Sequence, residues 1–111
     1  MAHKEETDIQ NRIRAELSKK GCKIFRCNVG NFYTKWGQEI KIGVVGHSDL
    51  YGTKPGGRSI YVETKTPVGS ASKEQIKFVN AMLKTGAIAG FARSVEEALK
   101  LVFPENYWQI K

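Results

Sequence analysis

A chain of 111 residues has the usual size of one domain and can bury a modest core without metal or disulfide staples. Its 41% apolar and 26% charged residues are ordinary for a folded soluble chain, and no apolar run approaches the ~18 residues that span a membrane. Eighteen basic against eleven acidic side chains leave a net charge of +7, which favours a polyanionic partner, nucleic acid first.

The N-terminal stretch Met-Ala-His-Lys-Glu-Glu-Thr-Asp is polar and lacks a signal-peptide core, so a cytoplasmic protein is expected. Residues 5–20 read as a first helix: Ile9, Ile13 and Leu17 recur every four positions and Gly21 stops the run. These three side chains span roughly an 80° arc. Glu6 and Gln10 fall with that arc, whereas Glu5 and Asp8 fall outside it. A carboxylate and an amide turned toward the protein body each need a partner, unless Glu6 sits in a frayed first turn where acids are favoured in any case.

Lys23–Cys27 is a short strand with Cys22 and Cys27 at its ends. Five positions apart, the two thiols are expected on opposite faces of extended chain and unbridged. Asn28-Val29-Gly30 is a turn, and residues 31–42 form either an irregular loop or a hairpin. A strand is expected around Ser48-Asp49-Leu50-Tyr51, followed by the turn signal Thr53-Lys54-Pro55-Gly56-Gly57. Ser59–Lys65 is the clearest strand. Ile60, Val62 and Thr64 alternate with Tyr61, Glu63 and Lys65, so the acid and the ammonium share one face.

Ser72-Lys73-Glu74-Gln75 fits a capping box opening a second helix to about Lys84, with Ile76, Val79 and Leu83 on one face. Residues 87–92 form a short apolar strand. Ser94 caps a last helix whose first turn holds Glu96 and Glu97. The element order is therefore α-β-β-β-α-β-α in a single domain covering residues 1–111.

The chemistry concentrates in three residues. Glu63 and Lys65 alone are compatible with an ion pair on a solvated sheet. Asp49 changes that reading, because the intervening turn can fold it back beside Glu63. Two adjacent carboxylates repel, and either a shared proton or a divalent cation relieves them. Magnesium prefers a few carboxylate oxygens together with waters and phosphates. His47, two positions from Asp49, is a further base or ligand candidate.

The pattern Asp49…Glu63-Thr64-Lys65 resembles the PD-(D/E)XK nuclease superfamily, and the chain looks like a VRR-NUC domain, the virus-type replication-repair nuclease module. The supporting pieces are Glu6-Thr7-Asp8-Ile9-Gln10, Phe25-Arg26-Cys27-Asn28-Val29-Gly30, Gly46-His47-Ser48-Asp49-Leu50-Tyr51-Gly52 and Val62-Glu63-Thr64-Lys65. They continue with Ser72-Lys73-Glu74-Gln75-Ile76-Lys77-Phe78 and Ala92-Arg93-Ser94-Val95-Glu96-Glu97-Ala98. Ser48 stands where the family often has a proline.

The resemblance implies an α/β fold with a restriction-endonuclease-like core, a central mixed sheet flanked by helices. It implies a metal-dependent endonuclease that hydrolyses DNA, structure-specific on branched substrates such as four-way (Holliday) junctions, acting as a homodimer in repair, of phage type and without a nucleotide cofactor. Flap, nick or duplex cleavage is the enzymatic alternative, and a non-catalytic basic binding module the other. Asp49, Glu63, the Thr64 carbonyl and Glu6 would hold Mg²⁺ or Mn²⁺. Lys65 would position or help deprotonate the attacking water. Gln75 would reach the site, a role that competes with the capping box. Gln10, Arg26, Asn28, Asn31, Tyr33, Lys35, Lys54 and Arg58 are the expected nucleic-acid contacts, the aromatic and basic ones suiting stacking and phosphate binding.

Overall fold

The computed structural model describes residues 2–27, 30–42 and 46–107, and the side chains of residues 5–27, 34–39 and 46–107. Its elements are α1 (Ala2–Lys19), β1 (Lys23–Arg26), β2 (Gly30–Tyr33), β3 (Glu39–Ile42), β4 (Leu50–Thr53), β5 (Ser59–Thr64), α2 (Lys73–Lys84), β6 (Ile88–Ala92) and α3 (Val95–Val102). A short 3-10 turn at Pro104–Asn106 follows.

Four strands form the central sheet in the order β1-β4-β5-β6, antiparallel except for the parallel β5–β6 pair. That mixed sheet between helices is the architecture expected from the sequence. The element order differs by one hairpin. Residues 31–42 supply β2 and β3, which pair with each other in a separate two-stranded sheet.

Strand alternation divides the central sheet into two unlike faces. Ile24, Leu50, Ile60, Val62 and Ile88 face α1 and α3, where Ile13, Leu17, Ala98 and Val102 complete the buried core. The β1 backbone closes directly over Gly52. A Cβ there would lie 1.7 Å from the Lys23 carbonyl oxygen, so only glycine lets β1 and β4 pair at this register.

The opposite face carries Phe25, Tyr51, Tyr61 and Glu63, and α2 packs over its β5–β6 half. Helix α2 turns differently from its expected orientation. Its inward side presents Gln75, Phe78, Val79 and Met82, while Ile76 and Leu83 are exposed. Of the apolar stripe Ile76–Val79–Leu83, only Val79 is buried, because Phe78 and Gln75 are drawn inward by Tyr61 and Glu63. Among the described residues, no helix is long and apolar enough to cross a membrane.

Candidate active site

The β4–β5 hairpin brings the acidic residues together through its register. Leu50 pairs with Val62, so Asp49, one residue before β4, comes level with Glu63. Its backbone N–H donates to Glu63 Oε1 at 3.1 Å, and its carbonyl accepts from Cys27 N at 2.9 Å. The Asp49 carboxylate in turn receives the Thr64 N–H at 3.0 Å on Oδ1 and the Thr64 hydroxyl on Oδ2. The two acids are thereby interlocked through backbone as well as side chain.

Local sequence explains how this approach is held. Ser48 is fully buried and its hydroxyl donates to the Leu50 carbonyl at 2.8 Å, which bends the chain into β4 without a proline. Gly46 has φ +87, and a Cβ there would lie 2.4 Å from the Glu74 carbonyl of α2. Both its conformation and its contact require glycine.

Helices approach the carboxylates from both sides of the sheet. From α1, the Gln10 amide hydrogen-bonds Asp49, and the Glu6 charge acts on Glu63. From α2, Gln75 Nε2 donates to Glu63 Oε2 at 2.8 Å. Gln75 also completes the capping box: Oε1 accepts from Ser72 N at 2.9 Å, while its own N–H donates to Ser72 Oγ at 3.1 Å. The two readings of Gln75 are therefore geometrically compatible, since one end of the amide caps the helix and the other touches Glu63. Lys65 Nζ lies 3.6 Å from Glu63 Oε2, and its N–H continues the sheet by donating to Ala92 O at 3.0 Å.

Burial makes this arrangement electrostatically costly. Glu63 is 4% and Lys65 9% exposed. Burial, then the neighbouring Asp49 charge, push the Glu63 carboxyl up to about 7, against the opposing pull of Lys65 and the Asp49 N–H. Burial likewise raises Asp49, partly offset by its hydrogen bonds from Thr64 and Gln10. One lysine thus faces more negative charge than it can neutralise. Nearby, Gln10 Oε1 is buried and accepts no hydrogen bond, an acceptor left open beside the Asp49 carboxylate.

These residues suit a hard divalent cation. Carboxylate oxygens of Asp49 and Glu63, with neutral oxygens from Gln10 or the Thr64 carbonyl, match the oxygen-only preference of magnesium. Among the described residues no group of three or more His, Cys, Asp and Glu side chains forms a metal-holding cluster. Glu6 reaches Glu63 through its field rather than as part of such a cluster.

The expected nucleic-acid contacts separate by location. Gln10 is buried against Asp49, so it belongs to the carboxylate centre and not to an outer surface. Arg26 is exposed at the same end of the sheet, paired with Leu50. Lys54 and Arg58 sit at the opposite end of the hairpin, about five strand residues or ~17 Å from Glu63. There Lys54 Nζ donates to Val102 O at 2.8 Å, pairs with Glu105 at 3.2 Å and lies 4.7 Å from the Phe103 ring centre. Arg58 Nε donates to Gly86 O at 2.9 Å. The structure brings neither to the carboxylates, and Lys54 is engaged in holding the C-terminal segment. Lys35 is exposed in the β2–β3 turn, its ammonium 4.7 Å from the Trp36 ring centre. Asn28 lies outside the described residues, as do the side chains of Asn31 and Tyr33.

Two features escape sequence reasoning. Arg93, just after β6, donates through one guanidinium nitrogen to the carbonyls of Thr66 and, at 2.6 Å, Gly69. It clamps the segment that follows Lys65. The second is an aromatic run on the α2 face, in which the His47 ring lies 4.5 Å from Phe78 and 5.7 Å from Tyr51. The His47 Nδ1–H donates to its neighbour's carbonyl, Ser48 O, at 2.7 Å. Aligning Tyr51 with Tyr61 across the Thr53–Ser59 turn would have revealed the row.

No family model matches the sequence, and no curated protein matches it. Comparison with solved structures finds a VRR_NUC domain that superposes with a TM-score of 0.66, covering 94% of this chain and 98% of that one at 20% sequence identity. Nearly the whole of both chains is shared, while four residues in five differ. The chain has the fold of a VRR-NUC domain.

Proposed function

We propose that this protein is a metal-dependent nuclease that hydrolyses DNA phosphodiester bonds at the centre built by Asp49, Glu63 and Lys65. The observation that carries the reading is the uncompensated negative charge of that centre, with half-buried Asp49 and buried Glu63 interlocked beside a single lysine and an open Gln10 acceptor. The likeness to a solved VRR_NUC domain supports the same reading, because a nuclease module of that name shares the fold end to end.

Asp49 and Glu63 would hold a Mg²⁺ ion, with Mn²⁺ as substitute, helped by the Thr64 carbonyl and by Glu6 through water. The cation would supply charge neutralisation at the phosphate and acidify an attacking water. Lys65, tethered 3.6 Å from Glu63, orients that water and places positive charge where the transition state gathers negative charge. Gln75 fixes the Glu63 carboxylate from the other side. Raising Glu63 to about 7 leaves it part-protonated near neutrality without a cation, so binding of the ion displaces a proton.

The finer expectation is branched DNA, four-way junctions above all, cut by a homodimer whose two-fold symmetry matches two symmetric incisions. Labelled duplex, flap and junction DNA incubated with Mg²⁺, Mn²⁺ or chelator test both levels. Metal-dependent cutting lost in Asp49→Ala and Lys65→Ala, with binding retained, supports the nuclease. No cutting of any substrate with either ion contradicts it. Paired symmetric cuts by a protein of dimeric mass support the junction reading, and a monomer that trims flaps contradicts that refinement alone.

A further inference from the structure

The sheet face that carries Glu63 is only half covered. Helix α2 shields Tyr61 through Phe78, whose ring centre is 5.6 Å away. Over β1 and β4 no helix among the described residues packs on that face. Phe25 there is 53% and Tyr51 37% exposed, with ring centres 5.7 Å apart and planes tilted by 35°. Two neighbouring aromatic rings left open to water are an unusual use of a sheet face, since rings this large are normally turned into the core.

Their register places them next to the carboxylates. Phe25 pairs with Tyr51 and Tyr51 with Tyr61, forming one cross-strand row. Two residues along β5 from Tyr61, ~7 Å away, Glu63 lies on the same face, with Asp49 level with it and its carboxylate turned toward Thr64 and Gln10. Two residues in the other direction comes Lys23, exposed and on the same face. An acidic centre, a pair of open rings and an ammonium therefore follow one another across the sheet of a chain that carries +7 overall.

We propose that Phe25 and Tyr51 form a stacking platform for unpaired nucleotides adjoining the phosphate that is cut, with Lys23 receiving the phosphate beyond. Flat rings stack on any base without reading its edges, so such a platform selects for single-stranded character rather than for sequence. Bases within an intact duplex already stack on each other and cannot occupy it without being unpaired. The platform would make the enzyme prefer junctions, overhangs or flaps whose bases are splayed beside the scissile bond. The inference takes the nature of its ligand from the nuclease reading, but it concerns binding and is tested without catalysis.

The test is fluorescence anisotropy in chelator, using labelled single-stranded DNA, a blunt duplex of equal length and a duplex with an unpaired overhang. Wild type is compared with Phe25→Ala, Phe25→Leu, Tyr51→Ala and Tyr51→Phe. Phe25→Leu keeps apolar cover on the strand and removes the flat ring, so it remains informative if the alanine variant unfolds. Each ring removal is expected to weaken single-strand and overhang binding about tenfold, within the range of base–aromatic stacking. Duplex binding should change less than twofold, and Tyr51→Phe should behave as wild type. A 2-aminopurine in the single strand should be quenched by wild type and recover in Tyr51→Ala.

Equal losses on duplex and single strand would overturn the platform. So would unchanged binding in both ring variants, failure to bind any single strand, or conversion of a dimer to a monomer without a binding change. If single-strand preference and its loss appear but no DNA is cut with Mg²⁺ or Mn²⁺, the nuclease reading fails and the platform stands. If DNA is cut and the ring variants bind as wild type, only the platform fails.

Discussion

The β4–β5 hairpin has two ends, and they treat charge in opposite ways. At the turn end, Lys54 is matched by the Val102 carbonyl, Glu105 and the Phe103 ring, and Arg58 by the Gly86 carbonyl. At the strand end, half-buried Asp49 and buried Glu63 are pressed together with one lysine beside Glu63, and the Gln10 oxygen has no donor. The same two strands, about five residues apart, carry a settled polar cluster and an unsettled one. A fold that satisfies its cations so thoroughly at one end has no structural need for crowded acids at the other. In the proposed function, a cation and a phosphate would join that excess.

Substitutions at the two ends should therefore separate activity from stability. The largest expected effect is on activity: Lys65→Ala and Asp49→Ala should each reduce cutting at least 100-fold in a gel assay while leaving DNA binding in place. Next comes a gain in stability. Glu63→Gln removes a buried charge, so the metal-free variant should be more stable than wild type at pH 8 although it no longer cuts.

The pH dependence follows from the raised carboxyl. Glu63 takes up a proton on folding between its ordinary 4.5 and about 7. Its contribution favours the fold fully below the lower value and is lost as pH climbs through the upper one, by up to roughly 3 kcal/mol. Urea unfolding in chelator at pH 5 and pH 8 should show this fall in wild type and a smaller one in Glu63→Gln. Saturating Mg²⁺ should restore the wild type selectively at pH 8, by about 2.7 kcal/mol at 100 times its Kd.

Smaller effects sharpen the contrast. Lys54→Ala should cost about 1–2 kcal/mol by freeing the Val102 carbonyl and uncovering Phe103, with the cutting rate of the folded protein unchanged. Ser72→Ala and Gln75→Ala should each lose about 1 kcal/mol of helix capping. Only Gln75→Ala should also slow cutting, because only Gln75 touches Glu63. Equal kinetics for the two variants would reduce Gln75 to a cap.

The legibility of the molecule followed the same division. Local rules carried most of the elements. Alternation at Ile60–Lys65, the capping box at Ser72 and the arc of Ile9, Ile13 and Leu17 each depend on neighbours within a few residues. The inward placement of Gln10 and Glu6 was readable from that arc. What local rules missed is set by register and by distant partners. Lys54 reads as a free cation until the C-terminal segment folds over it, 48 residues away in sequence. Ile76 and Leu83 read as a core stripe until Tyr61 and Glu63 rotate α2 toward Phe78 and Gln75. The open pair of Phe25 and Tyr51 depends on where α2 stops covering the sheet, which no periodicity encodes.

The most direct test of the central claim is calorimetric titration of the folded protein with Mg²⁺ and Mn²⁺ at pH 8, beside Glu63→Gln and Lys54→Ala. The account predicts saturable binding in wild type and in Lys54→Ala, lost in Glu63→Gln, with proton release growing as the pH is lowered toward 7. Binding of neither ion by wild type, or equal binding by Glu63→Gln, would contradict it.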